Sequence, residues 1–146
     1  MMKTIYFDMD GTIADLYGVG NWLDYLMNGN PLPYEIAKPL IRLNVLARHL
    51  NRLQRDGWQI GIISWLAKAS TTEYDEEVTA AKETWLKIHL KSVRFDEIHI
   101  VPYGTPKETF CKTKFDILFD DEEPNRNRWT GQAFDESNIL ETLKGM

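Results

Sequence analysis

Two aspartates that follow an apolar run are the residues best placed to do chemistry. Residues 5–7 read Ile-Tyr-Phe, and residues 8–12 read Asp-Met-Asp-Gly-Thr. β-Branched and aromatic residues favour a strand, and Asp with Gly ends it. Open α/β sheets bind ligands at the carboxyl ends of their strands, and a buried carboxylate pair is costly without a cationic partner. The pattern therefore indicates a site for a divalent cation, or for a phosphate with its own counter-charge.

The residues of this loop match what phosphoryl transfer to a carboxylate requires. That reaction needs a nucleophile, a proton donor for the leaving group, positive charge near the phosphoryl oxygens and donors that fix them. We expect Asp8 to attack phosphorus, and Asp10 to protonate the leaving oxygen and later deprotonate the attacking water. Gly11 permits a turn that a Cβ would obstruct, and Thr12 offers hydroxyl and backbone donors.

Other polar residues follow later apolar runs of the chain. Ser64 ends one run and is expected to hold a phosphoryl oxygen, and Lys107 follows the next run and is expected to neutralise charge. Asp120 and Asp121 end a further run. With Asp8 they form an oxygen-rich set of the kind that Mg²⁺ prefers.

Three lysines compete for the phosphate-site role. Lys112 and Lys114 lie closer in sequence to the run that ends in the second acidic pair. Lys107 is preferred because it follows Pro106 at a predicted helix start, where a phosphate would also meet helix N–H groups.

The elements that must position these residues alternate between strand and helix, which predicts a parallel sheet. The expected fold class is α/β: a three-layer sandwich with a mostly parallel, Rossmann-like sheet and a small helical cap insert. A last helix is predicted over residues 136–143. The strands are predicted over residues 4–8, 59–64, 97–101, 116–120 and 131–134.

Two longer helices are predicted between the strands. One covers residues 36–53, with a solvated basic face and Gly57 at its end. The other begins near Thr72, where acidic residues suit the positive end of the helix dipole. The residues expected to face the core are Ile36, Leu40, Leu43, Leu46, Leu50 and Leu53 in the first helix, and Val78, Ala81, Trp85 and Ile88 in the second.

Residues 15–33 fit neither a strand nor a long helix. They hold aromatic residues among glycines, asparagines and prolines, and they directly follow the aspartate loop. A short lid over the site is predicted, and the cap insert with its following helix is assigned to residues 15–56. Trp22 and Tyr25 are candidates for substrate contact, although core packing is the commoner role of such residues.

The composition predicts a single domain over residues 1–146. The chain is 43% hydrophobic and 27% charged, and 146 residues suffice for a real core. No apolar run approaches the roughly 18 residues of a membrane span. The N-terminus lacks a signal-like segment and Cys111 is the single cysteine, which together favour the cytoplasm. A net charge of -5 argues against non-specific nucleic-acid binding.

These motifs, in this order, resemble the haloacid dehalogenase-like hydrolase superfamily over nearly the whole chain. The resemblance implies that Asp8 forms an aspartyl-phosphate and that Asp10 is the general acid and base, with its backbone carbonyl on Mg²⁺. It further implies that Ser64 binds the phosphoryl group and that Lys107 steadies the charged intermediate. Asp121 aligns with the acidic metal ligand of the superfamily, and the neighbouring Asp120 is expected to orient it; the position four residues after Asp121, usually acidic, holds Asn125.

The acid at position 10 also selects among the activities of the superfamily. Members that act on carbon–halogen bonds need no proton donor there, and ion-pumping members carry Thr. The expected function is a Mg²⁺-dependent phosphatase acting on a small phosphomonoester or nucleotide, with a slight similarity to the deoxyribonucleotidase-type branch. A phosphomutase or phosphotransferase, and a non-catalytic module that binds phosphorylated ligands, are the alternatives. The short cap also leaves a phosphorylated nucleic-acid end as an alternative substrate.

Overall fold

A five-stranded parallel sheet forms the centre of the computed structural model, which describes residues 2–146. The strands in chain order are β1 (Thr4–Phe7), β2 (Ala14–Asp15), β3 (Lys38–Pro39), β4 (Gln59–Trp65), β5 (Glu97–Val101), β6 (Ile117–Phe119) and β7 (Gln132–Phe134). The spatial order of the sheet is β5-β4-β1-β6-β7, and β2 pairs with β3 in a separate antiparallel ribbon. The strand that precedes the first aspartates is therefore the central one.

Helices occupy the connections between these strands. They are α1 (Trp22–Met27), α2 (Leu32–Ile36), α3 (Leu43–Arg55), α4 (Thr72–His89), α5 (Glu123–Arg128) and α6 (Ile139–Lys144), with short 3₁₀ segments at Lys107–Phe110 and Glu136–Asn138. The α/β fold class is confirmed, and each predicted strand lies within one residue of its expected bounds. The predicted last helix begins with a 3₁₀ turn before α6. None of the helices in residues 2–146 combines the length and apolar character that crossing a membrane requires.

The central strand β1 is buried on both faces. Ile5 and Phe7 pack in the large core that also takes residues from α3, α4 and α6. Tyr6 points to the other face, where its ring meets Trp129 edge-on at 5.6 Å between centroids. Gly61 of β4 makes room for Tyr6, because a Cβ there would lie 2.7 Å from the tyrosine ring. This packing holds the end of β1 firmly in place.

The predicted helix over residues 36–53 is wrong in its first part. Ile36 ends α2, Leu40 lies beyond β3, and both side chains are exposed. Pro39 explains the break, because proline lacks a backbone N–H and disfavours helical backbone in the residue before it. From Leu43 onward the prediction is confirmed: Leu46, Leu50 and Leu53 are buried, and Gly57, with a φ of 99°, follows the helix.

The long helix α4 begins at Thr72, as predicted, and differs from its prediction in one core residue. Its N-cap is Thr71, whose side chain accepts a hydrogen bond from the backbone N–H of Tyr74. Ile88, predicted to face the core, is 65% exposed, because the helix turns its Leu86 side toward the sheet instead.

The segment predicted as a lid, residues 15–33, contains α1 and the first two residues of α2. Tyr34 of α2 is buried against α4, in a small cluster with Tyr74 and Val78. Helix α1, by contrast, contains no buried residue. The segment is thus anchored by α2, while α1 borders the site. The assignment of residues 15–56 as a cap unit stays a prediction.

Candidate active site

The loop after β1 presents two acids in a tight turn. The Met9 carbonyl accepts hydrogen bonds from the N–H groups of residues 12–14, at 3.0 to 3.1 Å. Asp8 is only 7% exposed, and its backbone N–H donates a hydrogen bond to the Phe119 carbonyl of the neighbouring strand at 2.9 Å. Gly11 has a φ of 81°, and a Cβ there would lie 2.5 Å from a carboxylate oxygen of Asp121. Glycine is therefore required for the turn and for the approach of Asp121.

Three carboxylates converge at the ends of β1 and β6. One oxygen from each of Asp8, Asp120 and Asp121 lies within 4.8 Å of the other two. Thr12 Oγ1 links two of them, at 3.3 Å from Asp8 Oδ2 and 3.2 Å from Asp121 Oδ1, and it accepts the Asp121 N–H at 3.2 Å. The structure therefore brings together the acids that the sequence nominated for metal binding.

Lys107 is the lysine that reaches these acids. Its side chain is 2% exposed, and its Nζ lies 3.1 Å from Asp8 Oδ1 and 2.7 Å from Asp120 Oδ2. Lys112 instead pairs with Glu97, and Lys114 is exposed beside Phe115. Lys107 is held by a 3₁₀ segment rather than by the start of a longer helix.

Asp120 and Asp121 have different surroundings. Asp120 is fully buried and accepts hydrogen bonds from the Lys107 ammonium at 2.7 Å, the Glu122 N–H at 2.9 Å and the Asn125 amide at 3.2 Å. Asp121 accepts from Thr12 and borders the open pocket. Asn125, at the position where the resemblance led us to expect an acid, thus supports Asp120 rather than offering a further charge.

Burial and the charge of Asp8 raise the pKa of both Asp120 and Asp121. Burial raises the pKa of Asp121 to about 8, and the charge of Asp8 adds to the effect. Burial and Asp8 likewise raise the pKa of Asp120 to about 6, against the opposing charge of Lys107. Burial alone would lower the pKa of Lys107, but Asp8 and Asp120 more than reverse this and leave it raised. The cluster therefore has more negative charge than its one lysine balances.

A second buried lysine, which sequence reasoning missed, lies on the other side of the aspartate loop. Lys82 of α4 contacts Asp10 Oδ2 at 3.0 Å and Ser64 Oγ at 2.7 Å. Burial raises the pKa of Asp10, while the charge of Lys82 opposes that rise. The sequence contained one sign of this: Lys82 comes four residues after Val78 and three before Trp85, which places a lysine on the apolar face of the helix.

An open pocket of about 550 Å³ leads from the protein surface to Asp8 and Asp10. Its walls are mostly apolar and aromatic. On one side the rings of Trp65 and Tyr103 pack with 5.0 Å between their centroids, and on another side the rings of Tyr17 and Trp22 pack at the same centroid distance. Tyr25, the other aromatic candidate in this segment, is not among the residues that line the pocket.

Comparison with known proteins identifies the fold. No family model matches this sequence, and no curated protein is similar to it in sequence. Among solved structures, a D,D-heptose 1,7-bisphosphate phosphatase from B. bronchiseptica, complexed with magnesium and phosphate, is similar at a TM-score of 0.56 and 12% identity, over 99% of each chain. The phosphatase of the same name from Burkholderia thailandensis has a TM-score of 0.56 and 9% identity, over 98% of this chain and 97% of that one.

This chain has the fold of those phosphatases. The α/β fold that the sequence predicted is therefore confirmed, whereas membership of the haloacid dehalogenase-like superfamily and the similarity to its deoxyribonucleotidase-type branch stay predictions. In this fold the acidic loop after the central strand, the Ser64 strand end and the acids after β6 meet at one edge of the sheet. That edge is where parallel α/β sheets bind their ligands.

Proposed function

We propose that this protein is a Mg²⁺-dependent phosphatase that hydrolyses a small phosphomonoester through an aspartyl-phosphate on Asp8. The observation that carries the proposal is the setting of Asp8: nearly buried, at the inner end of an open pocket, with the Lys107 ammonium at 3.1 Å. A carboxylate held beside a fixed positive charge is placed to attack an anionic phosphoryl group.

The residues present fit a bound Mg²⁺. Asp8, Asp120 and Asp121 offer carboxylate oxygens within 4.8 Å of one another, and Mg²⁺ prefers such ligands. Lys107 balances one of the three negative charges, so the cluster lacks the two positive charges that a divalent cation carries. When bound, Mg²⁺ would neutralise charge on the phosphoryl oxygens and on Asp8. The similar phosphatase that was solved with magnesium and phosphate supports this choice of cation.

The reaction then takes two steps on the residues of this chain. The Asp8 carboxylate attacks phosphorus, the bond to the leaving oxygen breaks, and that oxygen takes a proton from Asp10. Water next attacks the phosphorus of the aspartyl-phosphate and gives its proton to the Asp10 carboxylate, which releases inorganic phosphate and restores Asp8. The raised pKa of Asp10 favours the protonated form that the first step needs.

The pocket walls favour an ester whose leaving group contains a planar ring, and nucleotides belong to this class. Aromatic side chains stand on more than one side of the pocket, and the faces of their rings suit stacking against a planar group. The exposed Lys68 at the pocket wall supplies a positive charge for an anionic part of such a substrate.

Release of inorganic phosphate tests the proposal. The panel contains nucleoside monophosphates, sugar phosphates and benzyl phosphate, each with Mg²⁺ and with EDTA. We expect turnover that EDTA abolishes, and Asp8→Asn to lower it at least about a thousandfold. Asp56→Asn, the same change at an exposed residue after α3, is the matched control.

The covalent intermediate has its own readout. Rapid acid quenching followed by peptide mass analysis should find a phosphoryl group on the peptide that contains Asp8. Turnover by Asp8→Asn at the wild-type rate, or a phosphoryl group on another residue, would contradict the assigned nucleophile.

A further inference from the structure

Lys82 places a buried ammonium group next to Asp10, on the side of the active site that faces the protein core. Its side chain is 1% exposed, although it starts from the middle of α4, between Val78 and Trp85 of the apolar stripe. A buried ammonium is costly unless its hydrogen-bonding groups are all satisfied. Its position therefore requires close partners, and each partner it has belongs to the site.

The three N–H groups of this ammonium are matched by three acceptors. They are Asp10 Oδ2 at 3.0 Å, Ser64 Oγ at 2.7 Å and the Trp65 carbonyl at 2.8 Å. The centroid of the Tyr34 ring, in α2, lies 5.2 Å from the Lys82 Nζ. A lysine has three donors, so Lys82 has none left for a substrate and can affect the reaction only through these neighbours.

Each contact restricts a neighbour in a definite way. Ser64 Oγ accepts a hydrogen bond from Lys82, so the hydrogen of the Ser64 hydroxyl is left for a different acceptor; Ser64 itself is fully buried and does not line the pocket. Because Lys82 holds Asp10 Oδ2, the carboxylate cannot rotate freely, and the proton transfers fall to Oδ1. General acid catalysis depends on such placement, since small displacements of a reacting group cost large factors in rate.

We propose that Lys82 is the positioning residue that holds Asp10 for proton transfer to the leaving oxygen. The inference rests on the proposed phosphatase function. A purely structural ion pair is the competing explanation, and the two differ in how the loss of Lys82 affects good and poor leaving groups. A poor leaving group needs the proton of Asp10, whereas a good one departs without it.

Two aromatic esters separate the explanations. Benzyl phosphate releases a poor alkoxide leaving group, and dinitrophenyl phosphate releases a stable phenolate. The parameter to compare is kcat/KM, because it reports the steps up to the loss of the leaving group and not the later hydrolysis of the aspartyl-phosphate. The variants are Lys82→Met, Asp10→Asn and the double variant, with Lys87→Met, the same change at an exposed position of α4, as the control.

We expect Lys82→Met to lower kcat/KM for benzyl phosphate about a hundredfold more than for dinitrophenyl phosphate. Asp10→Asn should show the same selectivity, and Lys82→Met should add little to it in the double variant, because both changes remove one function. Lys87→Met should leave both values within about twofold of the wild type. Circular dichroism checks folding, and Lys82→Gln replaces Lys82→Met if the latter does not fold.

Equal losses on the two esters, or a full additional loss in the double variant, would overturn the role of Lys82 while leaving the proposed function intact. Failure of the unsubstituted protein to hydrolyse either ester with Mg²⁺ would overturn the proposed function and, with it, the inference.

Discussion

At the scale of single residues, two buried lysines contact three of the four aspartates of the site. Lys107 contacts Asp8 and Asp120, and Lys82 contacts Asp10. Each lysine comes from a different element, so the charge pattern depends on the packing of α4 and of the 3₁₀ segment at Lys107–Phe110 against the strand ends. Separate ammonium groups would allow the proposed nucleophile and the proposed proton donor to be controlled separately.

Loss of Lys107 should destabilise the fold in a pH-dependent way. Lys107→Met leaves Asp8 and Asp120 buried without their partner, and we expect the free energy of unfolding to fall by about 3–5 kcal/mol at pH 8 without Mg²⁺. The pKa of Asp120, already raised to about 6, should rise further. Since the folded variant then binds more protons than the unfolded chain, its deficit should shrink as the pH falls toward 5.

Urea unfolding followed by circular dichroism at pH 8 and pH 5 measures this effect. Lys114→Met, at an exposed lysine outside the acid cluster, is the control and should change stability by less than about 0.5 kcal/mol. A deficit for Lys107→Met that is below about 1 kcal/mol, or one that grows toward acid pH, would contradict the electrostatic role of this lysine.

At the scale of the elements, α1 is the least anchored helix that borders the site. It spans six residues, contains no buried residue and leaves Leu23 and Met27 exposed at the pocket. A helix this short gains little stability on its own. Its function is therefore better explained by the contacts that it offers to a bound ester than by support of the fold.

Trp22 should contribute to the binding of ring-containing esters. We expect Trp22→Ala to raise KM for benzyl phosphate or a nucleoside monophosphate about tenfold, with kcat little changed, because the contact is present both before and during the reaction. Tyr25→Ala is the matched control, since Tyr25 belongs to the same helix but does not line the pocket. Equal effects of the two substitutions on KM would contradict a specific contact between Trp22 and the ester, and would show that the substitutions act by disturbing the whole of α1.

The elements also show where local sequence patterns suffice. The bounds of the five strands in the central sheet were predictable to within one residue, because Asp, Ser or Pro marks the end of each apolar run, whereas the two-residue strands β2 and β3 were not predicted. The start of α3 was not, because residues 36–42 repeat apolar side chains at helical spacing while Pro39 prevents a helix there. The backbone restriction that Pro39 imposes thus outweighed the helical spacing of the apolar side chains.

At the scale of the whole molecule, Asp116 ties the start of the central strand to the chain that leads into β6. Its fully buried carboxylate accepts hydrogen bonds from the N–H groups of Thr4 at 3.0 Å, Lys112 at 2.8 Å and Thr113 at 3.1 Å, and from the Thr113 hydroxyl at 2.9 Å. This carboxylate is a structural acid at the end of the sheet opposite to the site.

Asp116→Asn should weaken the whole fold. In the variant, the amide NH₂ of asparagine would replace one carboxylate oxygen and would face N–H or O–H donors instead of accepting their hydrogen bonds. We therefore expect the free energy of unfolding to fall by about 2–4 kcal/mol. Unfolding in urea should remain one transition, with the same midpoint by circular dichroism and by tryptophan fluorescence. Asp56→Asn is again the control. A stability change within about 0.5 kcal/mol would show that the four hydrogen bonds are easily replaced.

The sequence by itself determined the α/β architecture and the acidic loops at the strand ends. Such features depend on neighbours a few residues apart, through strand and turn preferences. The sequence favoured Lys107 over Lys112 and Lys114, but only the tertiary structure decided that Lys107 contacts the acids and that Lys82 contacts Asp10. Those contacts join residues that lie far apart in the chain, and their energies come from burial and charge that exist only after the sheet and helices have packed.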